Sequence, residues 1–218
     1  TEKKRYFTHY SSSQRILLVG EGDFSFSACL ARAFGSAKNM VATSLDSQAM
    51  LLRKYQLSEV HLQELKKLNC LVLHGIDVKA MHKHRILKHM KFDRIIFNFP
   101  HAGHDLFFKE RDRELMKRHM ELVGDFFKVA SKMLNEEGQV HVSHRDDYPY
   151  RLWRIEDLAN DAELVLKQKV VFRKWDYPGY SNKRGSGVLS DYEFPLKDSF
   201  TFKFSLAAPY RKKQRLHL

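Results

Sequence analysis

The sequence predicts an α/β fold: a mostly parallel sheet with helices on both faces, closed by an antiparallel C-terminal hairpin. Three observations carry that prediction. The apolar run Ile16-Leu17-Leu18-Val19 stops at Gly20-Glu21-Gly22-Asp23 and leads into a helical run from Ala28; runs without alternation belong to strands covered on both faces. Strand-like and helical segments then alternate through the first half, which demands right-handed crossovers and parallel pairing. The last two β-like runs, 164–173 and 199–206, have no helix of normal length between them, as in an antiparallel pair.

The chain of 218 residues is 43% hydrophobic, enough for one sizeable core. One globular domain is expected over 15–206, after a polar lead-in at 1–14 and before a basic tail at 207–218 that holds Arg211-Lys212-Lys213-Gln214-Arg215. Lys and Arg number 38 against 26 Asp and Glu, a formal +12, which favours a polyanionic partner such as RNA over an acidic small molecule. A solvated basic surface is the plainer alternative. The two cysteines, Cys29 and Cys70, sit among apolar neighbours, which argues against a disulfide framework and a cysteine-rich zinc site and for a reducing compartment. With no apolar run of membrane-spanning length and no apolar signal centre at the start, a soluble intracellular protein without a membrane partner is expected. Oligomeric state is open.

The first strand ends in a ligand-binding type of junction. Gly20 and Gly22 can take positive φ and have no Cβ to block a ligand, and Ser25 or Ser27 can cap the helix whose free N–H groups face the same space. An anionic or polar small molecule fits there; an ordinary tight turn is the alternative. A second strand, 40–45, ends at Asp46-Ser47. Nucleoside-binding folds place a carboxylate on the ribose hydroxyls about twenty residues after the glycine turn; otherwise this pair caps the next helix. Residues 48–67 read as mostly helical, with Met50, Leu51, Leu57, Val60, Leu62, Leu65 and Leu68 supplying an apolar side and no obvious chemistry. A third buried strand, 70–74, leads to Gly75-Ile76-Asp77, where Asp77 could accept from an adenine amino group or cap a helix.

The histidines of 81–90 do not form a metal site. His82 and His84 share no helix face, no carboxylate or thiolate lies among them, and Lys83, Arg85 and Lys88 repel a cation. A basic helix face able to meet RNA is expected instead. The fourth strand, from Phe92, ends in Asn98-Phe99-Pro100-His101: an amide with donor and acceptor, a flat ring, and a stiff turn, together able to hold a planar base edge-on. The polar connection 103–114, with Asp105, Lys109, Arg111 and Arg113, reads as a mobile loop over a pocket. From Leu115 to Leu134 an apolar stripe at helical spacing marks core packing, ended by Gly138 before a fifth strand at 139–144. A turn and a short helix at 152–160 carrying Trp153 follow. In the loop 174–198, Tyr177 and Tyr180 interleaved with Lys183 and Arg184 suit base stacking and phosphate contact, a flexible surface hairpin being the alternative.

Such a terminal hairpin on a parallel sheet is the arrangement of Rossmann-like class I methyltransferases with a seven-stranded sheet. More specifically, the segments at 17–27 (Leu-Leu-Val-Gly-Glu-Gly-Asp-Phe-Ser-Phe-Ser), 42–47, 75–77, 92–101 and 175–180 resemble the 25S ribosomal RNA (uridine-N3)-methyltransferase-like family, whose domain also occurs fused to ferredoxin-fold anticodon-binding domains. The resemblance covers about residues 15–206 and implies a methyltransferase that uses S-adenosylmethionine on N3 of a uridine, with ribosomal RNA as partner, no metal, and a nuclear or nucleolar location, cytosol or an organelle being alternatives. It implies that Gly20, Glu21, Gly22, Asp23, Phe24 and Ser25 line the methionine and ribose part of the cofactor, Asp46 and Ser47 the ribose and Asp77 the adenine. Asn98, Phe99, Pro100 and His101 would face the methyl group and base, with His101 or a backbone carbonyl taking the N3 proton. Leu18 stands where many methyltransferases have an acid and Phe24 where many have a third glycine, so the holder of the methionine amino group stays open. Other acceptors, an RNA base or a protein amide, and a non-catalytic RNA-binding module are the competing readings. A nicotinamide dehydrogenase fits worst, for want of the third glycine.

Overall fold

The computed structural model describes residues 3–103 and 107–208. The basic tail 211–215 and Asp105 therefore lie outside the described residues. In chain order the elements are β1 (Tyr6–Phe7), β2 (Tyr10–Ser11), β3 (Ile16–Val19), α1 (Ser25–Phe34), β4 (Met40–Ser44), α2 (Gln48–Lys54), α3 (Ser58–Lys67), β5 (Leu71–His74), β6 (Phe92–Asn98), α4 (Arg113–Met133), β7 (Leu134–Arg145), α5 (Ile155–Asn160), β8 (Leu164–Val171) and β9 (Ser199–Leu206). Seven strands form one mixed, mostly parallel sheet in the order β5-β4-β3-β6-β7-β9-β8. The chain groups into two compact units, 1–77 with 173–195, and 78–172 with 196 onward.

In the first unit β3 pairs parallel with β4, and β4 with β5. Every residue of β3 and β4 is buried; β3 is an unbroken apolar run, and where β4 turns polar the Thr43 Oγ–H donates to the Leu18 carbonyl at 3.1 Å. β5 differs from the buried strand expected: it ends the sheet order and is half-exposed, because only β4 covers its backbone. The helical run after β4 is two helices rather than one. Tyr55 adopts extended dihedrals (φ −129°, ψ 118°) with a buried ring, which ends α2 before α3 begins. The lead-in is also more than a polar approach. β1 and β2 pair as a small hairpin, Tyr10 is buried, and the Phe7 ring meets Tyr177 edge-on at 6.0 Å.

In the second unit β6 and β7 are parallel, while β7 pairs antiparallel with β9 and β9 with β8, the terminal hairpin that the sequence predicts. α4 buries Leu115, Val123, Phe126, Phe127, Ala130 and Met133, the stripe read from its spacing. Gly138 lies inside β7 instead of ending a unit before it. It sits beside the bulge opposite Phe92 and Arg94, where a Cβ would stand 2.8 Å from the Phe92 carbonyl oxygen, so only glycine fits. Residues 81–90 are not a helix face. They make two short 3₁₀ turns, Met81–Lys83 and Leu87–His89, pinned by the buried side chains of Met81 and Leu87 and separated by extended backbone at His84. The short helix expected at 152–160 is likewise divided, by Arg154 in the left-handed region at φ 52°, into a 3₁₀ turn at Tyr150–Trp153 and α5. The Trp153 ring is buried between His119 (centroids 4.4 Å apart, stacked) and His144 (4.7 Å).

Phe127 packs against Phe126 and Phe204, with ring centroids 5.6 and 5.1 Å away, and is fully buried. Phe127→Ala is expected to lower stability by about 3–5 kcal/mol through lost burial and the cavity left behind, read as a lower urea midpoint at unchanged slope.

Candidate functional site

Parallel pairing in the first unit brings the C-terminal ends of β3, β4 and β5 to one edge, carrying Gly20–Asp23, Asp46–Ser47 and Gly75–Asp77. Gly20 turns at φ 64°, the left-handed region that favours glycine, and hands the chain on to Glu21, whose N–H donates to the Thr43 carbonyl at 3.0 Å. Gly22 takes no positive φ, contrary to expectation. A Cβ there would instead meet the Lys183 side chain at 3.5 Å and the Tyr55 hydroxyl at 3.6 Å, so its smallness keeps space between two walls.

The start of α1 departs from the expected serine cap. Ser25 N–H donates to Asp23 Oδ1 at 2.9 Å, and Ser27 N–H and Oγ–H donate to Glu21 Oε2 at 3.1 and 2.7 Å. Two carboxylates thus cap the positive end of the helix. Two of the helix N–H groups that an anion would need are occupied, and the turn presents acid instead. Burial pushes Glu21 up to about 7, with the Ser27 hydrogen bonds opposing and the Asp23 charge adding to the rise. Asp23 is buried, the His61 Nδ1–H donates to its carbonyl at 2.7 Å, and its second carboxylate oxygen, Oδ2, has no hydrogen-bond partner among the described residues. Such an oxygen suits a ligand amino group. Phe24 occupies the N-cap position with φ 62°, and its ring is fully buried edge-on to His74 at 5.7 Å. A side chain at a position where glycine is cheaper is held there by core packing, so Phe24 borders the turn with its backbone.

At the second strand end, Ser47 Oγ caps α2 by accepting from the Met50 N–H at 3.2 Å. Asp46 accepts from Lys54 Nζ on both oxygens, at 2.7 and 2.9 Å. Asp77 lies exposed two residues beyond Gly75, whose φ is 68°. The loop 174–195 belongs to this unit and is a wall of the same edge rather than a free hairpin. Ser181 N–H donates to Ser25 Oγ at 2.9 Å, Arg32 reaches the Pro178 carbonyl at 3.1 Å, and Lys183 Nζ holds the Asp191 carbonyl at 2.8 Å. Tyr177 and Tyr180 do not present stacking faces: both pack on Phe26, at 4.8 and 5.3 Å, and burial holds Tyr177 up at about 12 and Tyr180 far above the phenol range. Arg184 is half-buried. The open aromatics of the loop are Trp175, 78% exposed, and Tyr192, 64% exposed. Lys54 and Tyr55 were invisible to sequence reading, because on a helical wheel they are two more members of an amphipathic run.

In the second unit β6 ends at Asn98, in register with Ser143 of β7, and the next N–H, of Phe99, donates to the Ser143 carbonyl at 2.7 Å. Phe99 turns at φ 49° and its ring meets Phe172 edge-on at 5.2 Å. The Asn98 Nδ2 is buried with no hydrogen-bond partner among the described residues, a donor left for something planar with a carbonyl. Pro100 is buried, and His101 Nε2 lies 2.8 Å from Glu110 Oε1, with His119 Nε2 3.3 Å from Glu110 Oε2. These three side chains, their atoms within 4.8 Å of one another, have the donor set of a metal centre. Their protons disagree with it. The Gly103 N–H donates to His101 Nδ1 at 3.1 Å and the Ala102 N–H to His119 Nδ1 at 3.0 Å. With Nδ1 accepting, each neutral ring carries its proton on Nε2, where a metal would need a lone pair; His101 donates it to Glu110 Oε1, while His119 Nε2 stands near Glu110 Oε2 without hydrogen-bond geometry. The cluster reads as a His101–Glu110 hydrogen bond beside a turn that the Ala102 N–H to His119 Nδ1 bond ties to α4.

Residues 17–184 match the BMT5-like family, described as rRNA (uridine-N3-)-methyltransferase BTM5-like. Two Arabidopsis thaliana proteins are similar over 93% of this chain: heavy metal-associated isoprenylated plant protein 41, 49% identical, and an uncharacterized protein, 44% identical. The chain spans 39% of the length of the first and 97% of the second. A 25S rRNA (uridine-N3)-methyltransferase from Saccharomyces cerevisiae is 26% identical over 80% of this chain and 67% of its own. Among solved structures, the CcbJ methyltransferase of Streptomyces caelestis superposes with a TM-score of 0.53 at 12% identity, covering 90% of this chain and 85% of that one. The fold is that of Rossmann-like class I S-adenosylmethionine-dependent methyltransferases.

The raised Glu21 sets a pH test. The native state holds this proton more tightly than the unfolded chain, so from this group alone stability is greatest below about 4.5 and falls as pH rises to about 7. Glu21→Gln, which keeps the shape and cannot ionise, is expected to flatten that decline in denaturation curves taken across the interval.

Proposed function

Because the chain belongs to the BMT5-like family of rRNA (uridine-N3-)-methyltransferases, we propose that it methylates N3 of a uridine in large-subunit ribosomal RNA, using S-adenosylmethionine, in the nucleus or nucleolus. The observation that carries the reading is a pair of buried polar atoms left without partners at parallel strand ends, Asp23 Oδ2 in the first unit and Asn98 Nδ2 in the second. Both are costly to keep unless a ligand satisfies them.

The residues of the first unit fit the cofactor. Asp23 Oδ2 accepts from its amino group, which answers the missing acid at Leu18; the Gly20–Gly22 backbone lets it approach; Asp46 accepts from the ribose hydroxyls and Asp77 from the adenine amine. When bound, the cofactor supplies a methyl group on a positively charged sulfur, open to in-line displacement. An acidic turn is the electrostatic complement of that cation.

In the second unit Asn98 Nδ2 donates to a uracil carbonyl and holds the base edge. The N3 proton leaves to solvent water, with a carbonyl oxygen of 98–100 able to orient the N3–H as a hydrogen-bond acceptor, since both His101 nitrogens are already engaged with Gly103 and Glu110. His101 is then a positioning residue. RNA as partner is supported by the +12 charge and by the stretch 79–91, where Lys79, Lys83, Arg85, Lys88 and Lys91 are exposed and no carboxylate occurs between Asp77 and Asp93.

Calorimetric titration with S-adenosylmethionine and S-adenosylhomocysteine, with NAD as control, tests the cofactor; saturable binding of the first two and none of the third is expected. Asn98→Ala is expected to lower methylation of ribosomal RNA uridine by roughly a hundredfold or more, read by mass spectrometry of digested nucleosides, while S-adenosylhomocysteine affinity stays within about twofold. Loss of both together would move Asn98 out of the reacting group and into the fold.

A further inference from the structure

α2 carries the least expected part of the first unit. Lys54, its last residue, places one ammonium against three acceptors: Asp46 Oδ1 at 2.7 Å, Asp46 Oδ2 at 2.9 Å and the Gly185 carbonyl at 3.2 Å. An ammonium has three N–H donors, so this one is fully used. The pair is partly shielded, with side-chain exposures of 26% for Lys54 and 19% for Asp46, so it is less screened than a surface pair. The next residue, Tyr55, has its hydroxyl 3.6 Å from where a Cβ would stand on either Gly22 or Gly185. The phenol is pushed above its ordinary range by burial first and then by the charges of Asp46, Asp23 and Asp191, which places it amid the acids of this edge. Two consecutive residues thus touch the glycine turn, the second strand end and the loop 183–187.

We propose that Lys54 is a positioning residue that ties the Asp46 carboxylate to the Gly185 loop, so that the loop closes over the ribose end of the cofactor pocket in the same act that aims Asp46 at the ribose. The proposal rests on the reading of Asp46 as the ribose acceptor. Its chemistry follows from counting lone pairs. An ionised carboxylate has about four acceptor positions, two on each oxygen. Lys54 takes one on each and fixes the plane of the group, which leaves one on each for a vicinal diol. The ammonium and the diol therefore share the carboxylate instead of competing for it. The loop is bound to the same ammonium through a backbone carbonyl, and Gly185, at φ 82°, makes its turn there.

The test is a thermodynamic cycle between Lys54 and the ribose hydroxyls. Calorimetry would compare wild type and Lys54→Met for S-adenosylhomocysteine and for its 2′,3′-dideoxy analogue, with Lys54→Arg as the conservative variant. Wild type is expected to prefer the diol by tenfold or more. Lys54→Met should lose about tenfold for the diol ligand and little for the dideoxy one, so that the preference collapses, with partial return in Lys54→Arg. Equal losses for both ligands would reduce Lys54 to a structural strut, and tighter binding of the diol ligand by Lys54→Met would show that the ammonium competes for Asp46; either overturns the proposal. Hydrogen exchange of the ligand-free protein gives the second readout. Amides of 184–192 should exchange faster in Lys54→Met than in wild type, and unchanged protection would sink the loop coupling. If wild type binds neither ligand, the cofactor reading fails, while the exchange result still judges the tie between Lys54 and the loop.

Discussion

Burying two carboxylates at the first turn of α1 is the constraint on which the rest of the first unit depends. Glu21 and Asp23 satisfy two of the helix N–H groups that backbone geometry leaves open, those of Ser27 and Ser25, and in doing so they reverse the electrostatics expected of a glycine turn. A helix start normally offers positive potential. Here it offers acid, one oxygen of which is unmatched. The surrounding residues answer to that charge: His61 donates to the Asp23 carbonyl, Ser27 gives Glu21 both of its donors, and the Ser25 hydroxyl, freed from capping, grips the backbone of Ser181. The loop 174–195 is held by the unused half of the turn.

The second unit solves a different problem with the same economy of donors. Its strand end at Asn98 is stiffened from both sides, by Ser143 in the neighbouring strand and by His101 and Ala102, which bond to Glu110 and to His119 of α4. Rings continue from there: His101 lies 4.0 Å from His119, His119 is stacked on Trp153, and Trp153 touches His144, which burial holds down at about 4. A neutral stacked column can be packed dry beside a turn that has to keep its shape, whereas charged imidazoles in its place would bring water with them.

Period and punctuation made the sheet legible. An unbroken apolar run marked β3, shorter apolar stretches marked β4 and β6, helical spacing marked α4, and the missing crossover helix marked the antiparallel end. Boundaries slipped where one residue overrode its neighbours: Tyr55, extended within an apolar helical pattern, and Arg154, left-handed between two helical turns. The strand-end positions of Gly20, Asp23, Asp46, Asp77 and Asn98 were legible because the edge of a parallel sheet follows each strand in sequence. Lys54, Tyr55, Glu110 and His119 were not, since each reaches its partner through the fold and nothing local distinguishes it. The loop tyrosines misled for the same reason. An aromatic beside lysine and arginine reads as a stacking face, and only the tertiary position of Phe26 shows that these rings are spent on packing.

The chain holds two tryptophans, and the structure places one in each compact unit, in opposite surroundings. Trp153 is sealed between imidazoles, while Trp175 stands almost wholly in water on the loop beside the glycine turn. Their emission is therefore already divided by address: a blue, quencher-resistant component from the second unit and a red, quencher-accessible one from the first. Events at the loop and events at the strand end can be followed separately in one cuvette, with no label attached and no residue changed.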